Sequence, residues 1–368
     1  MGTIYLILIF LLTVFSFRIL ALAQIKTGIR SYEGMAGGLF GKGGDIFTAV
    51  IMFVKCFGAC IAYVICVSDV WSAFLKDDRV TGYYSTLSFR RVLTVVTFIV
   101  FMLPLSLPKH INSIRYVSLV GVSFIVFFVF CVIAHSCMNG LQDGLHNKDL
   151  QLFRVGNSAI SGMGKFMFAY LCQSNYFEVA NEVKPRLTVR RMEAQCFGGM
   201  IICTILYWLS GFFGYVDFGS GVKSSLLTVY LPLKDLYFAV AYCGIVVKLC
   251  VAFALHILPC RDSAHHLIGW HLETVAWWKN AVLCSVLSLV SLLCGLFIPN
   301  VNIVFGLLGS FTGGFIAFVF PSFFYIYSGG FTVKEAGWYN IIGTMALLLS
   351  GIIVICFGTT STIFDLVA

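Results

Sequence analysis

The segment from Gly156 to Val183 constrains the fold of this chain more than any other, because it is apolar enough to enter a membrane yet long and polar for one helix. It opens as an apolar span, GNSAISGMGKFMFAYLC, and continues without proline or glycine through Gln173, Ser174 and Asn175 into YFEVANEV. As one helix, about 28 residues at 1.5 Å each would reach roughly 42 Å, whereas a bilayer core is about 30 Å thick. The sequence therefore predicts that this segment breaks or protrudes.

The polar triplet in this segment is costly against lipid, so we expect it to face protein or a water-filled cavity. Interrupted helices near the membrane midplane are a common way for secondary transporters to hold a substrate. We predict that the triplet lines a central cavity, with Phe168, Tyr170 and Cys172 nearby and Tyr63 facing it from an earlier span. Two alternatives stay open: the span ends at Cys172 with the triplet as a solvated cap, and Tyr63 is a packed aromatic.

The composition is that of a membrane protein with several spans. Hydrophobic residues make up 60% of the 368 residues, charged residues make up 11%, and the mean hydropathy is +0.95. Ten apolar stretches are long enough to cross a membrane, which favours an all-α fold over a barrel of short alternating strands. They are residues 3–23, 46–67, 92–107, 116–134, 158–175, 197–218, 236–258, 281–298, 303–327 and 339–357.

Charge and cysteine usage exclude other classes of protein. The net charge of +8 arises from Lys and Arg scattered among loops, which argues against a nucleic-acid partner. Most of the 14 cysteines lie in apolar runs without a CxxC pair, which indicates packing residues rather than disulfides. Nothing before Arg18 is typical of a removable signal peptide. Placing twelve basic residues in inner loops and eight in outer loops predicts an external amino terminus, with Arg18 snorkelling at the inner end of the first stretch.

Several charged or helix-breaking residues fall in the later stretches. Lys248 lies midway along the seventh stretch and predicts a functional site, although its stem could instead reach an interface or a glutamate. His265, His266 and His271 fit no zinc spacing and predict a solvated inner loop, so we expect no metal or cofactor. Pro259 marks the predicted inner end of the seventh stretch. The glycine-rich ninth stretch, GLLGSFTGGFIAFVFPSFFYI, is expected to break near its proline.

Six segments in this order resemble the amino acid/auxin permease family, and among its members the trypanosomatid amino acid permeases. They are SYEGMAGGLFGKGG followed by FGACIAYVICVSD, LPKHINSIRYVS, FMFAYLCQSNYFEVANEV, ALHILPCRDS and GSFTGGFIAFVFPSFFYI. No single segment is diagnostic. Their order and spacing extend from Tyr32 to Pro321, which is nearly the whole chain.

The resemblance implies a single transporter domain, 1–368, built on two inverted repeats of five helices. In that fold the first and sixth helices unwind at the substrate site, and the segment from Gly156 to Val183 matches the sixth. Residues 1–134 would form an incomplete first repeat, 156–328 the second repeat and 329–368 an extra helix. The family's first helix is expected before Met1, which agrees with the external amino terminus.

The resemblance implies secondary active transport of amino acids. We expect proton coupling or sodium independence, because the stretch that matches the family's eighth helix lacks Ser and Thr and carries Lys248. A membrane enzyme is disfavoured by the absence of HExxH and GxSxG. The alternative function is a remnant, sensor or interaction protein on the same fold. Without a first helix we expect no transport by the chain as written, and transport once such a helix is restored.

The expected surroundings follow from this function. The partners would be an amino acid substrate, a proton and the lipid bilayer, with no nucleic acid. The choice between an amino acid and a polyamine stays open, as do protein partners. We expect an integral membrane protein of the plasma membrane, with an intracellular organelle membrane as the alternative.

Overall fold

The structure is a computed structural model that describes residues 1–77, 82–108, 114–141, 157–183, 188–221, 225–270, 275–298 and 300–367. These residues form helices joined by turns, and the part of the chain that they cover contains no strand. Apolar side chains dominate the helices, and in a membrane a helix satisfies its own backbone hydrogen bonds. The predicted all-α membrane fold is confirmed.

The helices are α1 (Gly2–Thr27), α2 (Tyr32–Leu75), α3 (Leu87–Ser106), α4 (Ile114–His135), α5 (Asn157–Ala169), α6 (Tyr176–Glu182), α7 (Val189–Phe218), α8 (Leu236–Ile268), α9 (Trp277–Phe297), α10 (Val301–Tyr327) and α11 (Trp338–Val367). Within the described ranges, nine helices have the length and apolarity to cross a membrane. Of the helices named above, the short α5 and α6 do not. Helix α5 covers most of the fifth predicted stretch, and α6 begins directly after it.

Helix α8 is longer than predicted, because it continues through Pro259 to Ile268. A proline inside a helix costs about 3 kcal/mol, yet the buried side chains of Ile257, Leu258 and Cys260 around it favour continuing the packed helix. The prediction of a solvated loop is wrong for His265, which is buried in α8, whereas His266 is exposed. His271 lies outside the described residues.

Two glycine-rich stretches have irregular helical geometry. Residues after Tyr32 form the first part of α2, and the helix kinks at Gly41, whose φ of 74° favours glycine. The ninth stretch is not broken near Pro321. Residues Leu308–Val319 are wound as a π-helix, and Pro321 falls in the first turn of the α-helical segment that follows, where a missing N–H is tolerated.

The described chain divides into two compact units. The first unit comprises residues 1–55, 153–205 and 305–368, and the second comprises residues 56–152 and 206–304. Each unit draws on both predicted repeats, so the repeat boundaries at 134, 156 and 328 stay a prediction. The core of the first unit is rich in aromatic and sulfur-containing side chains, among them Met35, Met167, Tyr170, Tyr176 and Phe324.

Glycine allows an unusually close approach of α5 and α10 within the first unit. A Cβ atom added to Gly309 would overlap the Gly164 carbonyl oxygen and lie 2.7 Å from the Phe168 backbone nitrogen. A Cβ atom at Gly164 would lie 2.7 Å from the Gly306 carbonyl oxygen. Small residues let membrane helices associate where no hydrophobic force drives them together. These glycines therefore determine how α10 packs against α5.

Arg18 links three helices of the first unit instead of only snorkelling. Its Nη1 atom donates to both carboxylate oxygens of Glu193 on α7, at 2.9 and 3.0 Å. Its Nε atom donates to the Asn340 Oδ1 on α11 at 3.0 Å. Both members of the ion pair are less than a third exposed, so the pair is worth more than a fully exposed surface pair.

We expect Glu193→Ala to destabilise the protein, because the substitution leaves the Arg18 guanidinium half-buried without its carboxylate. The loss should be about 1.5 to 2 kcal/mol, the lower part of the range for hydrogen bonds to charged groups. Thermal unfolding in detergent would show a lower midpoint for this variant. Glu182→Ala is the matched control, since Glu182 is exposed on α6. Equal midpoints for the two variants would contradict the assigned role of the Arg18 pair.

Candidate functional site

The chain between α5 and α6 leaves the α-helical path at the position that the sequence predicts. Helix α5 ends at Ala169, a turn of 3-10 helix covers Gln173–Asn175, and α6 begins at Tyr176. In the gap, the Cys172 N–H donates to the Tyr170 carbonyl at 2.8 Å instead of to a residue four positions earlier. Gln173 is fully buried and Ser174 is 9% exposed, so these two residues do not form a solvated cap.

A buried lysine contacts this interruption from α2. The Lys55 Nζ atom donates to the Ser174 Oγ at 2.9 Å, and Lys55 is only 2% exposed. The Ser174 hydroxyl in turn donates to the Asn175 Oδ1 at 3.2 Å. Asn175 itself is exposed. The interruption is therefore coupled to a positive charge through one hydroxyl group.

Gln173 is the polar side chain of the interruption that lacks partners. Its Nε2 and Oε1 atoms are both buried, and neither makes a hydrogen bond with any described residue. A buried amide without partners costs about 1 to 3 kcal/mol for each unsatisfied group. The amide offers donors and an acceptor to a ligand or to water at the helix break.

The other predicted residues of the interruption pack against neighbouring helices of the first unit. The Tyr170 hydroxyl lies 2.6 Å from the Thr204 hydroxyl of α7. Phe168 stacks on Phe305 with a ring distance of 4.7 Å, and the Cys172 sulfur lies 3.9 Å from the Met200 sulfur. These contacts hold the end of α5. They give Phe168, Tyr170 and Cys172 a structural role beside their predicted place near substrate.

Helix α6 is tied to α1 by a second polar chain. The Tyr176 hydroxyl donates to the Gln24 Oε1 at 3.0 Å, and the Gln24 amide nitrogen lies 3.5 Å from the Asn181 Oδ1. Asn181 then donates to the Arg30 carbonyl at 3.2 Å. The two sides of the interruption are thus anchored separately, α5 on α7 and α10, and α6 on α1. Such anchoring allows the intervening turn to keep a non-helical backbone.

The cleft found in the first unit does not include the predicted site. It is an apolar cleft of about 340 Å³ between the first half of α2 and the second half of α10. Phe40, Phe47, Phe315, Phe320 and Phe323 contribute most of its aromatic lining. None of the predicted site residues is among its lining residues. The central cavity around Gln173 therefore stays a prediction.

Tyr63 and Lys248 both lie in the second unit, and each contacts other residues of that unit. The half-buried Tyr63 ring packs edge-on against the His256 ring at 5.2 Å. Lys248 is half-buried where α8 crosses α4, with its side chain directly over Gly121. A Cβ atom at Gly121 would lie 2.8 Å from the Lys248 Cδ. Among the described residues Lys248 has neither a hydrogen bond nor an ion pair.

The second unit also contains a polar cluster at the end of α7. The His135 Nδ1 lies 3.0 Å from the Asp217 Oδ2, and the Tyr230 hydroxyl donates to the same oxygen at 2.6 Å. Burial, followed by the hydrogen bond to the Asp217 carboxylate, raises the pKa of Tyr230 well above its ordinary value. Tyr230 therefore remains a donor across the physiological range. In the described part of the chain, no three His, Cys, Asp or Glu side chains are placed to hold a metal ion.

The sequence alone did not single out Lys55 as a site residue. Its signal was present, because a lysine ten residues into the second apolar stretch is as unusual as Lys248 in the seventh. The sequence did not show which residue Lys55 contacts. Ser174 lies 119 residues further along the chain, and only the packing of α2 beside the interruption brings the two groups together.

Comparison with known protein families identifies the family of this chain. The family described as "Transmembrane amino acid transporter protein" matches residues 1–364. The chain belongs to this family. It is therefore an integral membrane protein of a family of transporters, not of enzymes, and the predicted resemblance is confirmed.

Curated relatives carry names of the same kind. Vacuolar amino acid transporter 5 of Schizosaccharomyces pombe is 26% identical over 311 residues, which are 83% of this chain and 72% of that protein. Solute carrier family 38 member 10 of Homo sapiens is 26% identical over 309 residues, which are 80% of this chain and 27% of that protein. Putative sodium-coupled neutral amino acid transporter 10 of Xenopus laevis is 26% identical over 306 residues, 80% of this chain and 29% of that protein. The chain thus spans less than a third of the length of the latter two relatives.

Proposed function

We propose that this protein moves amino acids across a membrane as a secondary transporter, with the interruption between α5 and α6 as its substrate site. The observation that carries this proposal is the buried Gln173 amide, whose donors and acceptor have no partner among the described residues. Unpaired polar groups at membrane depth are tolerated where they line water or bind a ligand. An amino acid carries a carboxylate, which accepts hydrogen bonds, and an ammonium group, which donates them, close to each other.

Family membership and the names of the relatives support amino acids as the transported class. We further propose that transport is coupled to protons or independent of sodium. Sodium ions need several hard oxygen ligands, and α8 has neither Ser nor Thr between Leu236 and Pro259. One relative is named as a putative sodium-coupled transporter, so sodium replacement is a direct test. The prediction that a further helix precedes Met1 concerns chain outside the structure and stays a prediction.

The function is tested by uptake into proteoliposomes that contain the purified protein. Each of the common labelled L-amino acids is offered with a pH gradient, with a sodium gradient and with neither. With a spanning helix added before Met1, we expect saturable uptake of at least one amino acid, driven by the pH gradient and unchanged when sodium is replaced by choline. Without that helix we expect none. Ligand-dependent stabilisation without uptake under any gradient would instead favour a sensor on this fold. The absence of both uptake and stabilisation would overturn the proposal.

We expect Gln173→Leu to raise the KM for that amino acid about tenfold, because the substitution removes the hydrogen bonds of a buried amide to the substrate. Gln195→Leu is the matched control, since Gln195 is exposed on α7 in the same unit. Both variants should reach wild-type levels in the membrane. An unchanged KM in Gln173→Leu would remove Gln173 from the site.

A further inference from the structure

Lys55 is a buried cation whose charge is not balanced by the described part of the protein. The side chain is 2% exposed, and its one hydrogen bond is to the neutral Ser174 hydroxyl. No described carboxylate lies within ion-pair distance of its Nζ atom. A buried charge without a counter-charge is strongly unfavourable, so such groups are usually paired or neutralised.

The position of this charge coincides with the proposed substrate site. Ser174 is in the 3-10 turn of the interruption, next along the chain to the unpartnered Gln173 amide. An ammonium group has three donors, and the contact with Ser174 uses one of them. Two N–H donors of the Lys55 ammonium and the whole Gln173 amide therefore have no partner among the described residues. Each of the two groups independently indicates a polar ligand at this turn.

We propose that the Lys55 ammonium binds the carboxylate of the transported amino acid. The inference rests on the proposed function and names the chemical group that the site recognises. A carboxylate balances the buried charge when substrate is bound and accepts the free ammonium protons in charge-assisted hydrogen bonds. Polyamines, which carry several ammonium groups and no carboxylate, are excluded by repulsion from Lys55. The charge of Lys55 therefore favours amino acids over polyamines, the two substrate classes between which the sequence did not decide.

The test uses the purified protein and measures ligand-induced thermal stabilisation, which does not require transport. The twenty common L-amino acids and spermidine are screened first. The amino acid that stabilises most is then compared with its methyl ester, which keeps the amino group and side chain but removes the carboxylate charge. For the wild type we expect half-maximal stabilisation at a concentration about tenfold to a hundredfold lower for the acid than for the ester. Spermidine should have no effect.

Lys55→Met should bring the acid and the ester to within about twofold of each other, since the charge-assisted hydrogen bonds of the Lys55 ammonium supply the discrimination. Lys55→Arg keeps the positive charge and should retain most of the discrimination. Lys42→Met is the matched control, because Lys42 is an exposed lysine on the same helix and should behave as the wild type. If Lys55→Met fails to fold, the Lys55→Arg variant and the wild-type acid-to-ester ratio still decide the question.

Three outcomes would overturn the inference: equal binding of acid and ester by the wild type, unchanged discrimination in a folded Lys55→Met protein, or binding of spermidine in preference to amino acids. If Lys55 had a purely structural role, the folded Lys55→Met protein would keep the discrimination between acid and ester. A Lys55 that carries the coupled proton would also leave the discrimination unchanged in Lys55→Met. Lys55-dependent binding of amino acids without uptake would support this inference while refuting transport, so the two proposals fail separately.

Discussion

Gly309→Ala is expected to abolish the folded state of this protein. A Cβ atom at this position would overlap the Gly164 carbonyl oxygen and lie 2.7 Å from the Phe168 backbone nitrogen. Both obstacles are backbone atoms of α5, so no side-chain rotation relieves the overlap. Overpacking of a well-packed interior typically costs about 1 to 3 kcal/mol, and displacing one backbone from another costs more. The helices α5 and α10 would have to separate, and the turn that follows α5 would move with them.

The measurement is fluorescence-detected size-exclusion chromatography followed by thermal unfolding in detergent. Gly309→Ala should give little monodisperse protein, and any that is recovered should show no ligand-dependent stabilisation. Gly162→Ala is the matched control, because Gly162 lies on α5 and a Cβ atom there would meet no atom within 4 Å. Alanine at that position should be neutral or raise stability by about 0.5 to 1 kcal/mol through its higher helix propensity. A well-folded, ligand-binding Gly309→Ala protein would show that α5 and α10 do not pack as described.

Lys248→Met is expected to eliminate the dependence of uptake on pH. Lys248 is half-buried on α8 beside Gly121 of α4, and no described charged or titratable group pairs with it. A lysine in such a place can gain and lose its proton during a transport cycle, which a methionine of similar length cannot do. The ratio of uptake at acidic pH to uptake at neutral pH should fall to about one, while some uptake driven by the substrate gradient persists.

The comparison needs a lysine variant that changes the charge of the second unit without changing its interior. Lys234→Met serves this purpose, because Lys234 is exposed in the turn before α8. It should keep the wild-type pH profile. Replacement of sodium by choline should leave uptake unchanged in the wild type and in both variants. Uptake that requires sodium and retains its pH dependence in Lys248→Met would show that coupling resides elsewhere.

The helix interruption was predictable because it depends on properties that are local in the chain. A segment of about 28 residues exceeds the bilayer thickness as one helix, and Gln173, Ser174 and Asn175 are too polar to face lipid. Neither argument requires knowledge of any neighbour. The structure places the turn at these residues, with Gln173 and Ser174 buried. Whether they bind substrate stays a prediction that the uptake and stabilisation experiments address.

The ends of the helices were less predictable, because tertiary packing can outweigh a local signal. Pro259 was expected to end the seventh span, yet α8 continues through it to Ile268, since the residues around the proline are buried. The histidine-containing segment that follows was expected to be a solvated loop, and His265 is buried as part of the same helix. A proline or a polar run predicts a boundary only when no packed surface favours continuing the helix.

The sequence by itself determined that this chain is an all-α membrane protein, how many apolar stretches it has and where one of them must break. Hydropathy and segment length are local properties of the chain, so these predictions need no knowledge of neighbouring helices. It singled out Lys248 as a site residue and passed over Lys55, although both lysines lie within apolar stretches. Only the tertiary structure decided that Lys55 meets Ser174, 119 residues away, while Lys248 lies over Gly121. The physical reason is that a helix presents each side chain in one direction, and the packing of its neighbours determines which group that direction meets.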